Sequence, residues 1–159
     1  MEKESIKKYF SLNELKRLNE LEGKILKNII YFVWINKTVE NNPYVFIDKL
    51  KLQTQDDLEL TLSASEESDR IFFDDQFDFE LQSIKFKNEF EGKIILKEYN
   101  ANNDKFWKDI TGNEIRSVQL SKDGNEYLAD ALILDFGAEK RLIGVSPEEG
   151  LIIDYHEEI

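Results

Sequence analysis

Residues 50–62 read Leu50-Lys-Leu-Gln-Thr-Gln-Asp-Asp-Leu-Glu-Leu-Thr-Leu62, and they give the clearest indication of the fold class. On both sides of a short Gln-Asp-Asp turn, every second residue is leucine or threonine and the residues between them are polar. A period of two is typical of strands that bury one face, and a short polar turn between two such runs predicts an antiparallel hairpin. The strands predicted for this hairpin are Tyr44–Thr54 and Leu58–Ser63.

Further alternating runs extend the hairpin into a β-rich fold. They predict strands at Leu26–Trp34, Arg70–Phe73, Phe77–Ser83, Ile84–Phe86, Ile94–Tyr99, Ile115–Leu120, Tyr127–Phe136, Arg141–Val145 and Leu151–Tyr155. Before them, Ser11-Leu-Asn-Glu14 is a capping box, and Gly23 stands where a helix would end, so a helix is predicted over 12–22. The sequence therefore predicts an α+β, mostly antiparallel β fold with one N-terminal helix.

The second half of the chain resembles the first. The matched positions are Leu50 with Leu132, Leu52 with Leu134, Leu60 with Leu142 and, upstream, Gly23 with Gly112. Such self-similarity predicts two copies of a four-stranded β unit that share one core. The units are assigned to residues 23–75 and 112–159, with connecting strands in 76–111, all within a single domain of residues 1–159.

The composition excludes several kinds of chemistry. The chain of 159 residues has no cysteine, so disulfides, thiolate nucleophiles and zinc–thiolate sites are excluded, and its single histidine, His156, lies in an acidic tail. No glycine-rich phosphate loop occurs, so no cofactor is expected. No apolar run is long enough for a membrane span and no signal peptide is recognised, so we expect a cytoplasmic protein.

The charge is strongly negative and unevenly distributed. The formal net charge is -12, and residues 54–92 alone hold twelve acidic and three basic side chains. Residues 1–30 hold seven basic and five acidic side chains. A field of this sign repels nucleic acid and anionic membranes and attracts cationic surfaces. We therefore expect a basic protein partner and neither nucleic acid nor membrane binding.

The acidic run also contains phenylalanines. Phe77 and Phe79 alternate with Asp78 and Glu80, so a strand there would place carboxylates together on one face, where like charges repel. Such crowding is tolerated where a basic partner docks. The residues predicted to contact the partner are Asp56, Asp57, Glu59, Glu66, Glu67, Asp69, Asp74, Asp75, Asp78 and Glu80.

The same carboxylates leave two other chemistries open. The patterns Asp56-Asp57-x-Glu59 and Asp74-Asp75-x-x-Asp78-x-Glu80 could supply oxygen ligands to calcium, although neither fits the EF-hand loop. A pair of carboxylates could also hydrolyse a glycoside, but nothing in the sequence singles out one pair. We therefore predict no catalytic residue and no metal site, and we do not expect an enzyme.

In its size, its acidity and its α-plus-β pattern, the chain resembles bacterial toxin-immunity proteins. The residues that carry the resemblance are the acidic run Glu66–Glu80 and the acidic ends of both repeats. The resemblance implies a non-catalytic immunity or inhibitor protein that neutralises a basic toxin or enzyme, such as a nuclease. The alternative is an oligomeric or scaffolding protein. The sequence leaves the oligomeric state open.

Overall fold

The computed structural model describes residues 8–38, 44–65, 67 and 69–156. It is an α+β fold with two helices and a mostly antiparallel, strongly curled β-sheet, which confirms the predicted class. The helices and strands are α1 (Leu12–Glu20), β1 (Leu26–Asn36), β2 (Tyr44–Thr54), β3 (Glu59–Ala64), β4 (Ile71–Phe73), α2 (Phe79–Glu89), β5 (Ile94–Asn100), β6 (Ser117–Gln119), β7 (Lys122–Asp123), β8 (Glu126–Tyr127), β9 (Ala131–Asp135), β10 (Lys140–Ser146) and β11 (Gly150–Tyr155).

The N-terminal helix begins at the capping box that the sequence predicts. The side-chain oxygen of Ser11 accepts a hydrogen bond from the backbone N–H of Glu14 at 3.2 Å, and the Glu14 carboxylate accepts one from the backbone N–H of Ser11 at 2.9 Å. These bonds satisfy donors that the first helical turn leaves without partners. Leu18 is buried on the face that packs against the sheet, so the predicted helix over 12–22 is confirmed, although it ends at Glu20.

Helix α2 lies where the sequence predicts two strands, Phe77–Ser83 and Ile84–Phe86, and that prediction is wrong. Asp78 is the N-cap of α2, and its carboxylate accepts a hydrogen bond from the third helical residue at 3.2 Å. Phe79 and Phe86 are seven residues apart and therefore share one face of the helix. Their rings pack against aromatic side chains of β1. The alternating segment Phe77–Glu80 therefore leads into a helix and does not form a strand.

Nine of the strands in the described residues form one sheet. In each half of the chain four strands pair in a simple antiparallel series, β1–β2–β3–β4 in the first and β6–β9–β10–β11 in the second. The two series meet where β11 contacts β2 in parallel, and β5 adds to the outer edge of β1. The single strand predicted over Tyr127–Phe136 is divided between β8 and β9.

The halves also begin with equivalent helical turns. The backbone N–H of Leu21 donates to the carbonyl of Leu18 at 3.1 Å, and 89 residues later the N–H of Ile110 donates to the carbonyl of Trp107 at 3.0 Å. All four side chains are buried in the main core. The equivalence therefore extends upstream of the glycines at which the sequence comparison starts.

The two halves are joined by reciprocal hydrogen bonds. The N–H of Gly23 donates to the carbonyl of Ile115, and the N–H of Gly112 donates to the carbonyl of Leu26, both at 2.7 Å. Adding 89 residues to Gly23 and Leu26 gives Gly112 and Ile115, so one bond is the image of the other. Reciprocal contacts of this kind are the mark of a twofold relation. These two hydrogen bonds are what a twofold relation would produce, while the arrangement as two copies of one unit stays a prediction.

One of the matched positions needs correction. The sequence comparison pairs Leu142 with Leu60, but Leu142 is half-buried, whereas Leu60 is buried. The strand pairing instead matches Leu62 with Ile143. Leu62 pairs with Leu50 in the first hairpin, and Ile143 pairs with Leu132 in the second. The offset therefore changes by one residue between the second and third strands of the unit.

The first half carries an extension that the second half does not have. In the first half, β1 and β2 are each eleven residues long, whereas their counterparts β6 and β9 have three and five residues. We call residues 32–36 of β1 and 44–48 of β2, together with α2 and β5, the extension. Because β6 and β9 are too short to form a counterpart, the predicted repeat does not account for the extension.

Candidate functional site

The structure separates the predicted partner-binding acids into two groups at opposite ends of β3. Asp56, Asp57 and Glu59 lie at its start, whereas Asp74 lies beside its middle, where the backbone N–H of Asp74 donates to the carbonyl of Thr61 at 3.0 Å. At the other end lie Glu67 and Asp69, while Glu66 falls outside the described residues. Six residues of strand separate the ends, which is roughly 17 Å. The predicted acids therefore do not form one surface.

Four of the predicted acids face cations of the chain itself. Asp56 binds Lys24, Asp75 binds Arg17, Glu59 lies 3.5 Å from Lys51, and Asp74 lies 2.9 Å from Lys49. The hydrogen bond from Lys24, aided by one from Thr54, lowers the pKa of Asp56 to about 2. These contacts neutralise much of the local charge that the sequence predicts.

The remaining predicted acids have other roles. Asp78 caps α2, and Asp69 accepts a hydrogen bond from Ser65 at 2.8 Å. Within the described residues, Asp57, Glu67 and Glu80 form no ion pair, and all three are exposed. Asp57, Glu67 and Glu80 are thus the acids that remain available to an outside partner.

The extension builds a second aromatic layer on the outer face of β1. The ring centroids of Phe32 and Phe77 are 4.7 Å apart, and those of Trp34 and Phe46 are 4.6 Å apart and stacked. Phe86 of α2 completes the layer at 5.3 Å from Trp34. Aromatic pairs at such separations stabilise a core beyond their buried area. This layer forms the apolar wall of a cleft.

Lys49 lies at the base of that cleft and is only 8% exposed. Its ammonium donates to Ser63 Oγ at 2.9 Å and lies 2.9 Å from Asp74 and 3.3 Å from Asp48. The pairing register of β1 and β2 shifts at this point and leaves Asp48 without a strand partner. The Phe77 ring lies 4.9 Å from the ammonium. One cation, two carboxylates and several aromatic rings thus meet in one place.

The cleft has two adjoining parts with volumes of about 400 Å³ and 500 Å³. Trp34, Asp48 and Lys49 line both parts. Burial raises the pKa of Asp48, although the neighbouring ammonium opposes the shift. The indole N–H of Trp34 is buried and has no acceptor in the described part of the chain. Buried polar groups are usually hydrogen-bonded, so this N–H distinguishes the cleft from the rest of the core.

A groove of about 410 Å³ between α1 and β6 is comparable in size but different in character. Leu15, Val118 and Leu120 line it, and Leu12 at its rim is 83% exposed. No buried charge lies among its lining residues. We therefore treat the cleft at Lys49 as the candidate functional site, and we call it the Lys49 cleft.

Comparison with known proteins gives no match. No family model, no curated protein and no solved structure is significantly similar to this chain. In the described ranges, no three acidic or histidine side chains are arranged to hold a metal ion. No helix in these ranges combines the length and apolar character needed to cross a membrane.

Of the predicted site residues, only Asp74 lines the Lys49 cleft. The sequence reasoning missed Trp34, Asp48 and Lys49, which lie within predicted strands. One signal could have found them. Asp48-Lys49 is a charged pair inside β2, between Phe46-Ile47 and Leu50, and it breaks the alternation of that strand. Charged residues within an otherwise buried strand are rare unless they are paired.

Proposed function

We propose that this protein is a non-catalytic binder of a basic protein partner, and that it neutralises this partner as an immunity protein would in the cytoplasm. The observation that carries the proposal is the Lys49 cleft. Its three charged groups have a net charge of one negative unit, its walls are aromatic, and exposed Glu80 follows in α2. Aromatic rings beside carboxylates suit the arginine and lysine side chains of a basic surface.

The chain as a whole supports the same partner chemistry. A net charge of -12 accelerates encounters with cations and opposes encounters with polyanions. The acids that bind internal cations contribute less to this field than the sequence predicts. The exposed acids without ion pairs should therefore dominate the approach of the partner.

The experiment is a capture with the purified chain from the cells that make it, followed by kinetics with each purified candidate. We expect a basic protein whose association slows steeply as salt rises, because salt screens exposed charges. We also expect stoichiometric inhibition of the activity of that protein. A partner that binds equally fast at low and high salt would contradict the proposal.

Matched variants locate the charge effect. Asp57→Lys with Glu80→Lys should slow association about tenfold or more. Glu126→Lys with Asp130→Lys changes the net charge equally at two exposed residues outside the predicted acids, and should have a much smaller effect. Equal slowing by both pairs would mean that only the total charge matters, and it would remove the argument that Asp57 and Glu80 guide the partner.

A carboxylate-dependent hydrolase is the second candidate, because Asp48 and Asp74 meet in a cleft and the pKa of Asp48 is raised by burial. Glycosidases pair two carboxyl groups, one of which has a raised pKa. Here, however, the Lys49 ammonium contacts both carboxylates and lies where a reacting atom would sit. Turnover of chromogenic glycosides that is lost in Asp48→Asn would favour the hydrolase over the binder.

The scaffolding alternative depends on the groove beside α1. Leu12 is 83% exposed there, and an exposed leucine beside an apolar groove is a possible self-association contact. Sedimentation of the full chain distinguishes the two functions. A dimer that Leu12→Glu dissociates would support self-assembly.

A further inference from the structure

We infer that the Lys49 cleft receives an arginine side chain of the partner, with the guanidinium against Asp48 and Asp74 and its plane against the aromatic wall. This inference rests on the proposed function and specifies its contact. It also makes a claim that can be tested without the partner, since the cleft should recognise arginine chemistry by itself.

The sign of the ligand follows from the hydrogen bonds of Lys49. An ammonium has three N–H donors, and three acceptors surround this one: Ser63 at 2.9 Å, Asp74 at 2.9 Å and Asp48 at 3.3 Å. No donor of Lys49 remains for an anion. Each carboxylate, in contrast, has lone pairs beyond those that face Lys49. The cleft therefore offers hydrogen-bond acceptors to a bound cation and no Lys49 donor to an anion.

The solvent exposure of the two carboxylates agrees with this assignment. The side chains of Asp48 and Asp74 are 15% and 24% exposed, so they are reached from the cleft and yet largely shielded from water. With one ammonium between two carboxylates, the group keeps one uncompensated negative charge. A bound cation would neutralise it in a setting where water screens charges weakly.

The aromatic wall favours arginine over lysine. Trp34 and Phe86 line the cleft beside Asp48, and Phe77 stands over Lys49 at 4.9 Å. A guanidinium is planar, stacks on aromatic rings and donates to two oxygens at once, whereas an ammonium is a compact, strongly hydrated charge. The buried indole N–H of Trp34, which has no acceptor among the described residues, lies in the same wall and provides a spectroscopic reporter.

The test uses the ¹⁵N-labelled full chain and N-acetylarginine amide as the probe. The sequence has two tryptophans, so the spectrum contains two indole N–H signals, and Trp34→Phe assigns them. Trp107 is fully buried in the main core, where its indole N–H donates to the hydroxyl of Tyr31. Its signal is therefore an internal control for folding. We expect the probe to shift the Trp34 signal saturably and to leave the Trp107 signal in place.

The controls separate charge from shape. N-acetylcitrulline amide has nearly the same shape without the charge, and it should not shift the Trp34 signal. Asp48→Asn and Asp74→Asn should each weaken binding of the arginine probe about tenfold or more, the usual effect of losing a charge-assisted hydrogen bond. Asp130→Asn removes an equal charge at an exposed residue outside the cleft. It should leave binding unchanged.

The outcomes distinguish this inference from the proposed function. An unmoved Trp34 signal overturns the inference, as does an equal response to citrulline or an unchanged affinity in both cleft variants. If Asp74→Asn fails to fold, shown by loss of the Trp107 signal, Asp48→Asn decides alone. A partner whose association still depends on salt and on Asp57 and Glu80 would then uphold the proposed function without the arginine contact.

Discussion

Replacing Lys49 with methionine tests the central feature of the structure, a lysine that holds two carboxylates in a largely buried position. Methionine keeps the length of the aliphatic stem and removes the ammonium. The side chains of Lys49, Asp48 and Asp74 are 10%, 15% and 24% exposed, respectively. Removing one member of a buried ion pair typically costs about 3–5 kcal/mol, since the partner charge remains without compensation.

Because some exposure remains, we expect Lys49→Met to lower the free energy of unfolding by about 2–4 kcal/mol. In a chain of this length each kcal/mol lowers the melting temperature by about 3 °C, so the expected loss is about 6–12 °C. Urea unfolding followed by circular dichroism, together with thermal melting, measures both quantities at neutral pH.

The dependence on pH gives an independent check. Burial and Asp74 raise the pKa of Asp48, while Lys49 lowers it, so removing Lys49 should raise that pKa further. A folded-state pKa above the unfolded value means that stability is lost as pH rises through the folded pKa. The stability difference between Lys49→Met and wild type should therefore shrink as pH is lowered from 7 towards 5.

Lys51→Met is the matched control on the same strand. The Lys51 side chain is 26% exposed, and its ammonium lies 3.5 Å from the carboxylate of Glu59, whose side chain is 51% exposed. Surface ion pairs contribute about 0–1 kcal/mol, so this substitution should have little effect. If both substitutions cost the same, or if the Lys49→Met difference stays constant with pH, the described role of Lys49 is wrong.

Three further predictions concern the packing and the surface charge. Leu18→Ala should lower the free energy of unfolding by about 2–5 kcal/mol, because Leu18 is only 2% exposed, and urea unfolding measures the loss. Gly150→Ala should cost about 2 kcal/mol or more in the same assay, since φ is +76° and a Cβ would lie 2.3 Å from the carbonyl oxygen of Ile47. Lys24→Gln should raise the pKa of Asp56 from about 2 towards the ordinary range, as observed by NMR titration of the carboxyl carbon, and an unchanged pKa would refute the pairing. In the wild type, the stabilisation from a lowered pKa is present above the ordinary carboxyl range and is lost as pH falls through about 2.

Features that depend on local pattern could be predicted from the sequence. Period-two leucines such as Leu50 and Leu52 specify strands with one buried face, and the capping box at Ser11 specifies where α1 begins. Both features need only neighbours within a few residues. The repeat of a four-stranded unit stays a prediction, and the one-residue change in its offset became visible only in the paired strands.

The segment after Asp78 is a helix because of its tertiary contacts, which local pattern does not reveal. Its phenylalanines fit a strand or a helix almost equally well, and short apolar runs are ambiguous in this way. Phe32 and Trp34 on the outer face of β1 need a cover, and a helix whose phenylalanines share one face provides it. The packing partner therefore selected the helix.

The tertiary structure also decided which charges are available to a partner. Acids of one acidic run in the sequence, such as Glu59 and Glu67, lie at opposite ends of β3. Cations that are distant in the sequence, such as Lys24 and Arg17, pair with other acids of that run. Lys49 and Asp74 are 25 residues apart in the sequence and yet form an ion pair. Trp34 lies beside them only because β1 and β2 pair. The composition gives only the number of charges. The Coulomb energy of a charge also depends on its distance from other charges and on its burial, and the fold determines both.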